Sequence, residues 1–184
     1  MEMRVLSVNV GLPRDVPYRG GTVSTGIYKE PVAGRVRVKI SGLEGDRQAD
    51  PAVHGAPLKA VYAYPSEHYA AWMRELSRDL PWGMFGENLT TEGLLETDVR
   101  TGDRYRVGTA VLQVTQPRGP CFKLGIRFGR TDIVRRFRET ERSGFYLAVL
   151  QEGDVAAGDP ITRITAAEGE PTIADLVHVH APGD

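Results

Sequence analysis

Hydrophobic and polar residues alternate in short runs along most of the chain. In residues 35–40 the apolar side chains occupy the even positions and basic ones occupy the odd positions, which is typical of a strand with one solvated face. Residues 5–10 show a similar alternation, with Leu6, Val8 and Val10 on one side. Comparable runs predict further strands at residues 60–64, 88–91, 103–107, 109–115, 144–150 and 161–165.

Apolar residues recur at helical spacing in two segments. One helix is predicted to begin at Pro65 or Ser66 and to end before Pro81. The second is predicted to begin at Thr131-Asp132 and to end at Gly144. The side chains predicted to face the core from these helices are Tyr69, Trp72, Met73, Leu76, Ile133, Val134 and Phe137.

The remaining segments are rich in glycine and proline. Residues 11–31 have a weak pattern and are predicted to form a long loop with a short strand near residues 22–28. Glycine–aspartate pairs mark corners between the short strands. The chain is therefore predicted to be mainly β, as a closed or nearly closed β-barrel with two or three helices packed outside.

Residues 171–184 are predicted to be a tail that follows a domain over residues 1–170. Residues 168–171 resemble a linker, and Thr172 and Asp175 then form a Thr-x-x-Asp cap at the start of a helix. The chain stops within about two turns of that cap, which is too short for a helix that is stable alone. We interpret the tail as either a docked segment or the start of a further module.

Composition and charge narrow the class of protein. The chain has 184 residues, of which 41% are hydrophobic and 26% charged, and this suits one domain. Its net charge of −1 argues against a general nucleic-acid-binding protein, and no apolar run has the length of a membrane span. A single cysteine and an N-terminus without a secretory pattern predict a cytoplasmic protein with no membrane partner.

The stretch from Gln116 to Lys123 contains the only cysteine of the chain, Cys121. Two prolines and a glycine stop the preceding strand in a stiff turn. Arg118, Lys123 and Arg127 place positive charge near the sulfur, which favours the thiolate, the form that acts as nucleophile and soft metal ligand. The alternative is that Cys121 is a small buried hydrophobic residue.

Basic residues are concentrated after this stretch. Residues 118–142 contain eight Arg or Lys against three Asp or Glu, a net charge of +5 in a chain whose total is −1. Such an excess would attract a phosphate, and arginine side chains suit phosphate geometry. The alternative is a solvated basic helix face, which we favour for Arg135, Arg136, Arg138 and Arg142.

Six short motifs follow one another in a distinctive order. They are Gly42-Leu43-Glu44-Gly45-Asp46, His54-Gly55, Lys59-Ala60-Val61, Phe85-Gly86-Glu87-Asn88-Leu89, Gly102-Asp103 and Gln116-Pro117-Arg118-Gly119-Pro120-Cys121. In this order and spacing they resemble the MOSC domains, named after the C-terminal domain of molybdenum-cofactor sulfurases, and in particular the bacterial YiiM-like branch. The resemblance covers residues 1–170. Ala56 and Leu58 depart from the residues common in the family at those positions.

The resemblance implies a β-barrel related to a domain of pyruvate kinase. It also implies that Cys121 either ligates the molybdenum of a pterin cofactor (molybdopterin) or carries sulfur as a persulfide. YiiM-like proteins are associated with the reduction of N-hydroxylated bases and related compounds. They usually continue into a small three-helix module, of which residues 171–184 would be the beginning.

Several polar residues of these motifs are candidates for the same site. His54 and Asp46 could donate a proton or bond the pterin, and the alternative is that they cap turns. Glu87 and Asn88 could bind the pterin edge, and the alternative is that they cap a helix or strand. The cationic candidates for contacts to the anionic cofactor are Arg118, Lys59 and Lys123, although Lys59 could simply face solvent.

Three functions are compatible with these residues. The first is a molybdenum-dependent reductase of N-hydroxylated substrates, with Cys121 as metal ligand, His54 as a second catalytic residue and electrons from a separate reductase. The second is a persulfide carrier that receives sulfur at Cys121 from a pyridoxal-phosphate-dependent donor and delivers it to another protein. The third is a small-molecule-binding barrel in which Cys121 is structural.

Overall fold

Strands form most of the regular structure. A computed structural model describes residues 2–50 and 57–179. Its strands are β1 (Arg4–Val10), β2 (Arg14–Tyr18), β3 (Gly21–Thr25), β4 (Glu30–Pro31), β5 (Val36–Lys39), β6 (Gly42–Leu43), β7 (Val61–Pro65), β8 (Leu89–Glu92), β9 (Arg104–Val107), β10 (Ala110–Pro117), β11 (Phe145–Gln151), β12 (Gly153–Val155) and β13 (Ile161–Thr165). Its helices are α1 (Glu67–Leu76), α2 (Phe122–Phe128), α3 (Ile133–Thr140) and α4 (Ile173–Val179). The predicted mainly β fold is confirmed.

Eight strands form one large sheet in the order β13-β9-β10-β11-β7-β8-β1-β4. Smaller sheets have the orders β12-β5-β6 and β2-β3. The strand pairing of the large sheet ends at β13 and β4, so the pairing is that of an open sheet, whereas the sequence predicted a closed or nearly closed barrel. Backbone bonds nevertheless bring the start of β13 beside β1, because the Val5 N–H donates to the Asp159 carbonyl (2.9 Å) and the Gly158 N–H donates to the Val5 carbonyl (2.7 Å).

The sheet contains a parallel pair, β7 and β8, whereas its other neighbouring strands are antiparallel. Parallel neighbours require a crossover connection, and α1 lies in this one. The helix begins after Ser66, as predicted, and its buried side chains are Tyr69 and Trp72. It ends at Leu76, earlier than predicted, because Ser77 adopts a left-handed conformation with φ of 52°.

Two hydrophobic clusters stabilise the fold. The first lies on one face of the strands and includes the alternating residues of β10, Ala110, Leu112 and Val114, each at most 1% exposed. The second cluster joins α1, α2 and α3 to the other side of β7. Its aromatic members include Tyr64, Tyr69, Trp72, Phe85, Phe128 and Phe137. The helices thus cover the sheet on the side where the Cys121 loop lies.

Three local features differ from the sequence predictions. In β1 the register shifts between Val5 and Ser7, so Val5 and Val8 are buried while Leu6 and Val10 are only partly buried. The predicted long loop contains a hairpin of β2 and β3 instead of one short strand. Helix α2, directly after Cys121, had no counterpart among the predicted elements.

The last described segment packs against the rest of the domain. Ile173, at the start of α4, is fully buried in the first cluster, and its N–H donates to the Val99 carbonyl (2.8 Å). Thr172 and Asp175 exchange the predicted capping bonds, at 3.1 and 2.9 Å. In the part of the chain that the structure describes, no helix combines the length and the apolar character needed to span a membrane.

Candidate functional site

A pocket opens beside Cys121. It encloses about 600 Å³ of empty space, including its opening to solvent. Its walls come from short segments that are distant in sequence, namely residues 25–29, 46–49, 59–62, 86–88, 118–123 and 146. At Gly26 an added Cβ would lie 2.6 Å from the Arg47 carbonyl oxygen. The first two segments therefore pack backbone against backbone, and only glycine fits there.

Cys121 lies at the N-cap position of α2, with an extended backbone (φ −122°, ψ 170°). Its thiol is not part of a disulfide and is half-buried. The Cys121 carbonyl accepts the Leu124 N–H (3.0 Å), and the buried side chains of Leu124 and Phe128 anchor the helix in the second cluster. The prolines before Cys121 and the anchored helix after it hold the sulfur at the pocket wall.

Arg118 is a deeply buried cation near the thiol, with 7% of the residue exposed. Its guanidinium carbon lies 5.0 Å from the Tyr62 ring centroid and 5.3 Å from that of Phe137, and it also bonds the Tyr146 phenol. Its Nη1 is buried and has no hydrogen-bond partner among the described residues. A buried N–H without an acceptor is unfavourable, so this atom is suited to an acceptor group of a ligand in the pocket.

The pocket carries an excess of positive charge. Lys59 places its ammonium 5.7 Å from the Tyr146 ring centroid, and Lys123 lies in the first turn of α2. With Arg118 these cations outnumber the pocket's acidic side chain, Asp46, which pairs with Lys29. Burial also raises the pKa of the Tyr62 and Tyr146 phenols, so both stay neutral and add no negative charge. The pocket is therefore suited to an anionic ligand.

Asp46 is held by bonds on both carboxylate oxygens. Oδ1 accepts the Gly11 N–H at 2.9 Å and pairs with the Lys29 ammonium at 2.5 Å. Oδ2 accepts Nδ2 of Asn88 at 3.0 Å. The side chains of Lys29 and Asp46 are 7% and 8% exposed. Burial lowers the pKa of Lys29, and the Asp46 carboxylate partly offsets this effect.

Asn88 connects Asp46 to the sheet. Its Oδ1 accepts the Tyr62 N–H at 3.0 Å, and its Nδ2 also donates to the Asn9 carbonyl at 3.3 Å. The amide is thus engaged by the protein, although the residue lines the pocket. Its role at the pterin edge stays a prediction.

Glu87 points into the protein. Its Oε1 accepts bonds from the Tyr69 hydroxyl (2.5 Å), the Gly83 N–H (2.9 Å) and the Thr90 hydroxyl (2.9 Å). Oε2 accepts the Phe85 N–H (3.1 Å). Burial raises the pKa of this carboxyl, and the donors oppose that shift. Glu87 therefore organises the turn before β8 and does not line the pocket.

The structure brings most of the predicted site residues together. The lining of the one pocket includes Cys121, Arg118, Asp46, Lys59, Asn88 and Lys123. His54 lies outside the described residues. The pocket also contains Lys29, Tyr62 and Tyr146, which the sequence interpretation did not assign to the site. Lys29 lies in the segment with the weakest pattern, and its partner Asp46 is 17 positions away, so no local signal indicated it.

The basic residues beyond α2 have other contacts. Arg135, Arg136 and Arg142 pair with Glu139, Asp132 and Glu75, respectively. These pairs support the solvated-helix interpretation of that segment. Within α2 itself, Arg127 lies over the Tyr28 ring (4.9 Å to the centroid). In residues 2–50 and 57–179, no group of three or more His, Cys, Asp or Glu side chains is arranged to hold a metal ion.

Comparison with known proteins identifies a family and several relatives. The family model of the MOSC domain matches residues 50–162. The uncharacterized protein YflK of Bacillus subtilis (strain 168) is 45% identical over 164 residues, which cover 89% of this chain and 74% of YflK. The protein YiiM of Escherichia coli (strain K12) is 41% identical over 142 residues, which cover 76% of this chain and 63% of YiiM.

Two further similarities extend this picture. A protein named reductase from Gibberella moniliformis (strain M3125 / FGSC 7600) is 36% identical over 149 residues, which cover 79% of this chain but 26% of that protein. The crystal structure of YiiM from Geobacillus stearothermophilus has a TM-score of 0.80 at 38% identity, covering 96% of this chain and 83% of that one. The chain thus spans less than two thirds of the E. coli YiiM and about a quarter of the reductase.

Proposed function

Because the chain belongs to the MOSC domain family, we propose that it binds a molybdenum cofactor and reduces N-hydroxylated compounds, with Cys121 as the metal ligand. The observation that carries the proposal is the pocket in which a half-buried thiol lies with Arg118, Lys59 and Lys123. The name of the fungal relative, reductase, agrees with this reaction class.

The residues of the pocket fit the cofactor chemically. Cys121 offers the soft sulfur ligand that molybdenum prefers, and the guanidinium of Arg118 favours its thiolate form. The buried Arg118 Nη1 lacks an acceptor among the described residues, and a phosphate or pterin oxygen would satisfy it. Lys59 and Lys123 add charge that would hold an anionic group. When bound, the cofactor supplies a metal that exchanges two electrons.

The chain's own residues would bind and orient the substrate. Reduction of an N-hydroxylated compound consumes two electrons and two protons, breaks the N–O bond, and gives the amine and water. The electrons would come from a separate reductase. Tyr62 and Tyr146, buried beside Arg118, would shield part of the pocket from water and present aromatic surface to a planar base.

Elemental analysis of molybdenum in the purified protein tests the proposal. The wild type and the Cys121→Ser variant would be made in a host that accumulates the cofactor. The Arg118→Lys variant would test the contact of the Arg118 guanidinium with the cofactor. We expect about one molybdenum per chain in the wild type and little in Cys121→Ser, because the serine hydroxyl is a poor ligand for a soft metal. Equal thermal melting of the two proteins would control for folding.

Two results would contradict the proposal. The first is Cys121→Ser protein that keeps full molybdenum and full reduction of an N-hydroxylated base. The second is wild-type protein that is folded and carries no molybdenum. Sulfur released by cyanide from wild type, but not from Cys121→Ser, would then favour the persulfide carrier served by a pyridoxal-phosphate-dependent donor. The half-buried thiol beside Arg118 is compatible with that alternative.

A further inference from the structure

Lys29 is a buried ammonium in the wall of the same pocket. It directly precedes β4, and 7% of its side chain is exposed. A buried charge is unfavourable unless it is paired, and Asp46 provides the partner at 2.5 Å. Lysine has three N–H donors, and the described residues account for this one pairing of its ammonium. The remaining donors can therefore serve a ligand in the pocket.

The carboxylate of Asp46 is surrounded by hydrogen-bond donors. It accepts bonds from the Gly11 N–H and from Nδ2 of Asn88 in addition to the Lys29 ammonium. These bonds fix the carboxylate beside Lys29 and thereby hold the ammonium in the pocket wall.

Arg118, Tyr62 and Tyr146 are poorer proton donors in this pocket. The guanidinium of Arg118 does not release its protons in proteins. The Tyr62 hydroxyl donates to the Ser143 carbonyl (2.8 Å), and burial raises its pKa and that of Tyr146. Burial lowers the pKa of an ammonium, and this makes Lys29 a stronger acid.

We propose that Lys29, supported by Asp46, donates a proton to the substrate when the N–O bond breaks. This inference rests on the proposed function. In the step, the Lys29 ammonium gives one proton to the hydroxyl oxygen, which leaves as water, while two electrons from the external reductase and a second proton from solvent complete the amine. The neutral Lys29 amine then regains a proton from solvent, and Asp46 remains a carboxylate.

Other charged or titratable groups surround Lys29 and belong to any account of its pH dependence. Arg127 donates through Nη2 to the Lys29 carbonyl (3.5 Å), and Glu30 is the next residue along the chain. The groups that share the pocket with it are Lys59, Tyr62, Arg118, Cys121, Lys123 and Tyr146. His54, outside the described residues, is the competing proton donor that the sequence predicts.

Substitution by arginine separates charge from proton donation. Lys29→Arg keeps the cation but cannot release a proton, so we expect unchanged molybdenum per chain and a kcat lower by a factor of about 100 to 10,000. The assay would use an N-hydroxylated base with a chemical reductant, and the alkaline limb of the pH profile should disappear. Lys39→Arg, at an exposed lysine paired with Glu44, is the matched control. The double variant Lys29→Met/Asp46→Asn should show the same loss if Lys29→Arg folds poorly.

Full activity of Lys29→Arg with an unchanged pH profile would overturn the assignment while leaving the proposed function intact. If His54→Gln loses activity while Lys29→Arg keeps full activity, the assignment to Lys29 is also overturned and the proposed function stays intact. His54 is then assigned as the proton donor.

A readout without turnover is the NMR titration of protein labelled with [13Cε]lysine. The chain has four lysines, at positions 29, 39, 59 and 123, so four signals can be assigned by substitution. The Lys29 signal should titrate at lower pH than that of Lys39. Titration together with Lys39 overturns the assignment, whether or not molybdenum is bound. If the Lys29 signal titrates at lower pH than that of Lys39 but the protein holds no molybdenum and has no reductase activity, the proposed function is overturned. The role of Lys29 as proton donor, which rests on that function, is then overturned as well.

Discussion

Glu87 shows how one buried carboxylate organises the chain before β8. It is fully buried and accepts four hydrogen bonds, two from the backbone N–H groups of Gly83 and Phe85 and two from the hydroxyls of Tyr69 and Thr90. Asn88, the next residue, faces the opposite way and holds Asp46. The geometry of the pocket therefore depends on a residue that does not line it.

Replacement of Glu87 by glutamine should destabilise the protein. In the variant an NH₂ group replaces one of the two carboxylate oxygens and cannot accept a hydrogen bond from the donor that faces it. A buried donor left without an acceptor costs about 1–3 kcal/mol. We expect a decrease of that size in the free energy of unfolding, measured by urea denaturation. Glu168→Gln, at an exposed position, is the control. An equal free energy of unfolding for wild type and Glu87→Gln would show that the carboxylate does not have this role.

At the scale of the element, the start of β11 supports the floor of the site. Gly144 precedes this strand with φ of 62°, and an added Cβ would lie 2.5 Å from the Ala63 carbonyl oxygen and 2.8 Å from the Tyr62 ring. The Gly144 carbonyl accepts the Arg118 N–H (3.3 Å), and its N–H donates to the buried carboxylate of Glu96 (2.7 Å). The turn thus holds the backbone of Arg118 in place.

Gly144→Ala should be more destabilising than a glycine substitution with the same backbone conformation. Gly129 has a φ of 65° and open space around it, so Gly129→Ala measures the cost of the backbone conformation alone, which is about 1 kcal/mol. In Gly144→Ala the collision with β7 adds to that term, so its loss in thermal stability should clearly exceed that of Gly129→Ala. Similar melting temperatures for the two variants would show that the turn can relax.

The sequence predicted those elements whose signal is local. Alternation placed Ala110, Leu112 and Val114 of β10 on one buried face, and helical spacing identified α1 and α3. Helix α2 was not identified because it has only seven residues and follows a proline-rich turn, although its Leu124 and Phe128 are four positions apart. The bulge in β1 depends on the partner strand and has no signal in β1 itself.

At the scale of the whole molecule, buried phenols link stability to pH. Burial raises the pKa of Tyr105 to about 12. It also raises the pKa of Tyr62, Tyr64, Tyr69 and Tyr146. In the unfolded chain these side chains release their protons near pH 10, so above that pH the unfolded state holds fewer protons than the folded state. Stability must then fall as pH rises.

The free energy of unfolding should therefore decrease steadily between pH 9.5 and pH 12. The pKa of Lys29 is lowered in the folded state, so this residue makes the free energy of unfolding rise with pH. It is one group, whereas several tyrosines act in the opposite direction. Denaturation by urea at a series of pH values measures the slope, and Tyr105→Phe should make it shallower. Stability that stays constant or rises over this range would contradict the burial of the phenols.

The site itself was predictable in part. The motifs gave Cys121, Arg118, Asp46, Lys59 and Asn88, the positive charge next to the cysteine gave Lys123, and these residues line one pocket. The sequence did not reveal Lys29, because its role depends on a pairing with Asp46 that exists only in three dimensions. Nor did it reveal that the carboxylate of Asp46 is shared between a backbone N–H, an amide and an ammonium.

The pocket walls come from six separate stretches between residues 25 and 146, and this has a consequence for cooperativity. No single one of these stretches contains the whole lining of the pocket, so affinity for its ligand exists only after the strands have assembled. A molecule that binds here therefore stabilises all of those stretches together, by about 2.7 kcal/mol when its concentration is 100 times its Kd. Occupancy of the pocket and resistance of the whole domain to proteolysis should therefore increase together, because both depend on the same free energy of unfolding.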